Sequence, residues 1–229
     1  MALLLAAAAM TGCTAVGATP VPEDSGSAPA TPASVAPIGG DDLAKALLTT
    51  KDLPAGFVQS GSATNGTGSV GIGGGGFPGC PPLNTPLTTQ QTFAAAATFA
   101  KGVLGPYVTH AVLRYPAGGA TAVLTRLAEA QSSCPAFTQE MAGFTVKFQV
   151  QGGSAPPLGD QTVGLRMVGV TDGLNITVVA DIAAIRRGDI VIWLSDMSMG
   201  TSAQSMVDDL APVAVTKCAE TLPDCATPR

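Results

Sequence analysis

His110 is the only histidine of the 229-residue chain, and the one side chain whose ordinary pKa allows proton transfer near neutral pH. A Ser-His-Asp hydrolase would have to use it as general base. Its surroundings argue for a simpler role. No Gly-x-Ser-x-Gly elbow exists to present a nucleophile to it, and Val108 and Val112 flank it along an alternating stretch. His110 is expected to be a satisfied strand residue, with hydrolysis a remote alternative. The 16 carboxylates are scattered, mostly at turns and caps. Asp41-Asp42 and Asp208-Asp209 are adjacent pairs, and adjacent helical positions do not face each other, so neither forms an acid–base dyad. Asp172 and Asp189 fall at hairpin turns, where Asp serves local geometry. Gly66-Thr67-Gly68-Ser69-Val70-Gly71 has the spaced glycines that let backbone amides approach a pyrophosphate. That chemistry needs a helix behind the glycines, and Gly73 to Gly79 with Pro78 follow instead. Arg187-Gly188-Asp189 spells an adhesion tripeptide, but a glycine turn between two strands accounts for it.

Sulfur chemistry is more informative. Small residues, Met10-Thr11-Gly12, precede Cys13 after the apolar run Met1 to Ala9, which resembles the lipobox of a bacterial lipoprotein. On this reading residues 1–12 are a signal peptide and Cys13 is the lipidated N-terminus of the mature chain. No Lys or Arg precedes Cys13, as expected if translation starts further upstream. Four cysteines follow: Cys80, Cys134, Cys218 and Cys225. An even number in an exported domain reads as two disulfides, for which three pairings exist. Cys80 with Cys134 and Cys218 with Cys225 is the preferred set, the second pair being close in sequence around Pro223. With no Cys-x-x-Cys and one histidine, a zinc site is not expected, nor is any cofactor.

These residues must be positioned by one domain. Residues 13–40 are rich in Ala, Pro, Ser, Thr and Gly without apolar periodicity, and read as a disordered linker. Residues 41–229 have the length of a single domain. Charged residues make up 12% of the chain, against about 25% in ordinary domains. A net charge of −5 without a basic cluster excludes nucleic acid as the expected partner.

Asp41 or Asp42 can cap a short helix carrying Leu43 and Leu47 on its inner face. Gly61 to Gly79 reads as a long mobile loop. Phe93 to Lys101 and Tyr107 to Tyr115 read as strands, and Ala120, Val123, Leu124 and Leu127 as a helix ending near Cys134. Val146, Phe148 and Val150 alternate. Three further strands, about 161–170, 175–185 and 189–197, predict an antiparallel meander turning at Asp172-Gly173 and Arg187-Gly188. A last helix is expected from Ser202, with Met206 and Leu210 on one face and a kink at Pro212. The expected fold class is α+β: an antiparallel sheet flanked by helices in a two-layer sandwich with two disulfides. The surplus of Phe144, Phe148, Met167, Trp193, Met197, Met199 and Met206 reads first as core, and second as the lining of an adaptable apolar cleft.

The stretch Leu47-Leu48-Thr49-Thr50-Lys51-Asp52-Leu53-Pro54-Ala55-Gly56-Phe57 resembles the opening of many actinobacterial lipoprotein domains. So do Cys134-Pro135-Ala136-Phe137, Leu158-Gly159-Asp160 and Arg186-Arg187-Gly188-Asp189-Ile190-Val191. That group is similar to the extracellular sensor domain of mycobacterial PknH-type Ser/Thr protein kinases. Over about Asp41 to Glu220 the resemblance implies a single α/β unit with a cleft and two disulfides that binds an unidentified ligand. It implies no catalytic residue, and the chain carries no kinase motif. The long glycine loop departs from the family pattern.

The leading expectation is a non-enzymatic lipoprotein on the extracytoplasmic face of the cell membrane, anchored through Cys13, whose sensor-like domain binds a small molecule or a protein. A carrier shielding a lipid or glycolipid in an apolar cavity is the alternative, and a hydrolase built on His110 the remote one. An enclosed apolar cavity favours the carrier, an open polar cleft favours sensing, and His110 beside a hydroxyl and a carboxylate favours the enzyme.

Overall fold

A computed structural model of the chain describes residues 39–64, 77–88, 91–141, 143–200 and 206–226. These belong to one unit, Pro37–Arg229. Cys13, nearly all of the linker, the Gly66 to Gly71 motif and Ser202 lie outside the described residues.

Eight strands form one antiparallel sheet in the order β1-β2-β3-β8-β7-β6-β5-β4. They are β1 (Val58–Thr64), β2 (Phe93–Ala100), β3 (Tyr107–Arg114), β4 (Ala136–Met141), β5 (Phe144–Gly152), β6 (Gln161–Thr171), β7 (Thr177–Arg187) and β8 (Ile190–Met199). The meander β6-β7-β8 forms as expected, with Asp172-Gly173 and Arg187-Gly188 at its turns. The helices are α1 (Gly40–Lys45), α2 (Thr85–Thr88) after a 3-10 turn over Pro81–Asn84, α3 (Gly119–Ala128), α4 (Ala130–Ser133), α5 (Val207–Thr221) and α6 (Pro223–Ala226). None of the described helices is long and apolar enough to cross a membrane.

Strand periodicity reports which faces are covered. On β5, Val146, Phe148 and Val150 are buried while Lys147, Gln149 and Gln151 are exposed, so one face is packed and one is wet. The run Val178 to Ile185 on β7 and the run Ile190 to Ser198 on β8 are buried throughout. Such strands must be covered on both sides.

The helices do this, and here the expected two-layer sandwich gives way. Val123, Leu124 and Leu127 of α3 pack with Leu113, Met167, Ala184 and Trp193 on one face. Leu43 of α1 and Leu210, Ala214 and Cys218 of α5 pack with Val112, Ile185, Ile192 and Leu194 on the other. Helices therefore cover the central strands from both sides. The physical reason is the continuous apolar character of β7 and β8, which a single helical layer would leave half exposed.

One strand is longer than expected and one lies where none is expected. An extended segment is expected near Phe57-Val58, and β1 continues from it to Thr64, into the segment whose Gly, Ser and Thr content reads as loop. β4 pairs with β5 over Ala136 to Met141. Both are edge strands, and an edge strand need not be apolar. The helix expected from Ser202 is described from Val207, as α5, and includes Pro212, whose missing N–H cannot bond to the Asp208 carbonyl.

Both preferred cysteine pairs stand at disulfide distance. Cys80 and Cys134 have Cα atoms 5.5 Å apart and lie in the α3-side core, between the 3-10 turn and the end of α4. Cys218 and Cys225, 5.6 Å apart, join α5 to α6 in the opposite core.

Candidate functional site

The sequence motifs converge on scaffold joints. Gly159 has a left-handed φ of 72°, and a Cβ there would lie 2.4 Å from the Arg186 carbonyl oxygen, so only glycine fits. That turn delivers Asp160 to the β7–β8 hairpin. Its Oδ2 accepts from the Gly188 N–H at 2.7 Å and from Arg186 Nη1 at 3.1 Å. Asp189 accepts from the Gly118 N–H at 3.3 Å. Leu158-Gly159-Asp160 and Arg186 to Val191 therefore form one partly buried joint, and the Arg187-Gly188-Asp189 tripeptide is taken up in it.

The Leu47 to Phe57 segment makes a second joint. Asp52 accepts from the Thr49 N–H at 2.7 Å and from Lys217 Nζ on α5 at 2.7 Å. Partial burial disfavours the Asp52 charge, but Lys217 and the Thr49 groups outweigh it and hold the carboxyl below its ordinary value. The Leu48 N–H donates to His110 Nδ1 at 2.9 Å. His110 is fully buried at the centre of β3, and its Nε2 has no partner. Because Nδ1 accepts, the neutral ring carries its proton on Nε2. Burial, reinforced by Lys217 and opposed by Asp52, lowers its pKa to about 3. Among the described residues no hydroxyl or carboxylate bonds to the ring, so it is not set to activate a nucleophile.

Beside this joint, Asp52, Pro212, Val213, Thr216, Lys217 and Glu220 line an open groove of about 390 Å³. One wall is the Asp52–Lys217 ion pair, another the outer side of α5. The groove sets the Asp52–Lys217 ion pair, the Glu220 carboxylate and the Thr216 hydroxyl beside Pro212 and the exposed Val213, a mixed polar and apolar surface that a small ligand could meet.

A second polar group sits on the same sheet face. Asp181 of β7 and Asp196 of β8 are directly opposed and buried, with 6% and 5% of their surface exposed. Arg166, opposite Asp181 on β6, approaches it to 3.8 Å. Asp196 Oδ2 accepts from the Met206 N–H at 3.0 Å, tying the start of α5 to the sheet, while Oδ1 has no partner. Burial raises the Asp196 pKa; the Met206 hydrogen bond opposes that rise, and Asp181 adds to it. Sequence reading placed the carboxylates at turns and missed this pair. The signal was there: a lone Asp inside each of two apolar strands, Val179-Ala180-Asp181-Ile182 and Leu194-Ser195-Asp196-Met197. Among the described residues no three His, Cys, Asp or Glu side chains cluster as metal ligands.

Of the apolar surplus, Phe148, Met167, Trp193 and Met197 lie in the α3-side core and Met199 packs against it, while Met206 packs against the opposite core. Phe144 is exposed.

No protein-family model matches the chain, and no curated protein does. Its structure is similar to the crystal structure of the extracellular domain of PknH from Mycobacterium tuberculosis, with a TM-score of 0.59 at 14% identity. The match covers 80% of this chain and 98% of that one. The chain has the fold of the PknH extracellular domain. The likeness takes in nearly all of the PknH domain, so the sheet and its packed helices are the shared part. The Asp160–Arg186 and Asp52–Lys217 joints are the local devices by which this sequence holds that fold.

Proposed function

We propose that the chain is a cell-envelope lipoprotein whose residues 41–229 bind a ligand or partner outside the cytoplasm. Cys13 carries the lipid, and residues 13–40 tether the domain to the membrane. The bonds Cys80–Cys134 and Cys218–Cys225 form there, in an oxidising compartment. The observation that carries this reading is the fold shared with a domain described as extracellular. The two cysteine pairs at disulfide distance support it.

The ligand's place on this reading is the groove of Asp52, Thr216, Lys217 and Glu220. The groove is open to solvent, which favours sensing or binding over the enclosed cavity that shielding a lipid requires. Purification from the native envelope followed by mass spectrometry tests the reading. The expected result is lipid on Cys13, two oxidised cysteine pairs and a co-purifying small molecule or protein. An unmodified Cys13 with reduced cysteines in the cytosolic fraction overturns it. In a Cys13→Ala chain the lipid modification is expected to be absent by mass spectrometry.

A further inference from the structure

The described residues include seven exposed large apolar side chains: Val58, Val103, Leu104, Phe144, Val170 and Leu174, with Val213 on α5. The strand register places the first six at one end of the sheet. Val103 and Leu104 lie in the β2–β3 turn, Leu174 in the β6–β7 turn with Val170 just before it, and Phe144 at the β4–β5 turn. Val58 starts β1 opposite Ala100, at the same end.

Turn geometry does not ask for these residues. Hairpin tips favour Gly, Asn, Asp and Ser. Here glycine supplies the turn, and an apolar residue stands exposed beside it: Gly102-Val103-Leu104-Gly105, Gly143-Phe144 and Gly173-Leu174. Val103 is 90% exposed and Leu104 58%. The opposite end of the sheet is built differently, with the Arg114–Asp224 and Arg186–Asp160 ion pairs and Asp189 bound to the Gly118 N–H. At the apolar end Lys147 and Asp172 neutralise each other at 2.9 Å, and the exposed Lys101 stands at the base of the β2–β3 tip. The molecule is thus polarised along its strands.

We propose that this end is a membrane-docking edge, whose three hairpin tips insert their apolar side chains into a lipid surface. Strand order separates the tips by about 14 Å and about 10 Å at ordinary strand spacing. Separate fingers suit a deformable occupant. Six partly exposed side chains of this size offer on the order of 500 Å² or less, short of the about 800 Å² per partner of a stable protein interface. The choice of a bilayer also rests on the anchor reading above. The 26 residues from Cys13 to Gly39, on the linker reading of their composition, would span about 25–30 Å on average, which keeps the domain within reach of the membrane that holds the lipid.

The test uses a chain of residues 13–229 carrying Cys13→Ala, which lacks both the lipid and the apolar run Met1 to Ala9, floated with vesicles of phosphatidylethanolamine and cardiolipin. It is expected to float with them, and to do so at high salt, because the contact is apolar. Adding Val103→Ser, Leu104→Ser, Phe144→Ser and Leu174→Ser should lower binding by about tenfold or more. In a separate Leu174→Trp variant, emission should shift to the blue on vesicle addition, over the constant signal of buried Trp193. A Cys13→Ala chain that stays in the aqueous fraction, unchanged binding by the serine variant, or an emission of the Leu174→Trp variant that vesicles do not move overturns the proposal. Self-association that the serine substitutions abolish, without vesicle binding, overturns it in favour of a second copy. The anchor reading is scored separately, by lipid on Cys13 of the native chain.

Discussion

Replacing His110 by Gln removes one titration from the core and should flatten one part of the stability–pH curve. The His110 pKa is about 3 in the folded chain, against about 6.5 when unfolded. Between these values the unfolded state binds the extra proton, so stability rises with pH and is lost as pH falls from 6.5 towards 3. At about 1.36 kcal/mol per pH unit, acidification to about pH 4 should cost the wild-type domain about 3 kcal/mol through this residue alone. For a domain of this size that is about 6–12 °C in Tm. His110→Gln keeps an acceptor for the Leu48 N–H and carries no titrating proton. It should lose about 1–2 kcal/mol at pH 7 through imperfect packing, yet lose less on acidification. The assay is urea unfolding followed by the fluorescence of Trp193, the only tryptophan, for both chains at several pH values. Carboxylates titrate equally in both and cancel in the difference. Parallel pH curves for the two chains, or a His110 imidazole that titrates above about pH 5 by NMR, would refute the argument that burial keeps the ring neutral.

Asp196→Asn should act with the opposite sign. The Asp196 pKa is raised on folding, so its ionisation weakens the domain as pH rises, and the neutral amide should raise Tm at pH 7 and lose that advantage in acid; a lower Tm at pH 7 would count against it. Asp160→Ala removes the acceptor of Gly188 and Arg186 at a partly buried joint and should cost about 2–3 kcal/mol in chemical unfolding, whereas loss under about 1 kcal/mol would reduce the joint to an ordinary surface pair. Replacing Cys80 and Cys134 by Ser opens a loop with 54 residues of separation and replacing Cys218 and Cys225 one with 7. On chain-entropy grounds the first should cost about 4 kcal/mol and the second about 2. Denaturant titrations of the oxidised proteins check the order.

The regular elements were legible where one physical demand acted alone. β5 alternates because one face meets the α3-side core and the other meets water, and Phe148 stacks on Phe137 at 5.4 Å as that pattern requires. The β6–β8 meander announces itself by glycine turns between apolar runs. β1 beyond Val58 was hidden because an edge strand of Ser, Gly, Ala and Thr is chosen by its partner β2, not by its own pattern. The layer count was missed for a related reason. Periodicity says that β7 and β8 are buried on both faces, but it does not say which helix supplies each cover. The Asp181–Asp196 pair was hidden because two residues 15 positions apart become neighbours only through strand register.

The motifs that carry the family resemblance explain why the ligand stays less legible than the fold. Leu158-Gly159-Asp160 meets Arg186 to Val191 inside one partly buried joint, and Asp52 of the Leu47 to Phe57 segment meets Lys217 in another. The polar motif residues Asp160, Arg186 and Asp52 are spent on holding backbone to backbone or helix to sheet. A signature made of such joints transmits a scaffold, and a scaffold can serve unrelated ligands. What this chain adds to the scaffold lies where the joints do not reach: the groove residues Thr216 and Glu220 and the apolar hairpin tips Val103, Leu104, Phe144 and Leu174. No turn, cap or core contact requires those side chains. Specificity in this protein is therefore to be tested at the groove and the tips, where changes should alter binding while leaving Tm nearly unchanged.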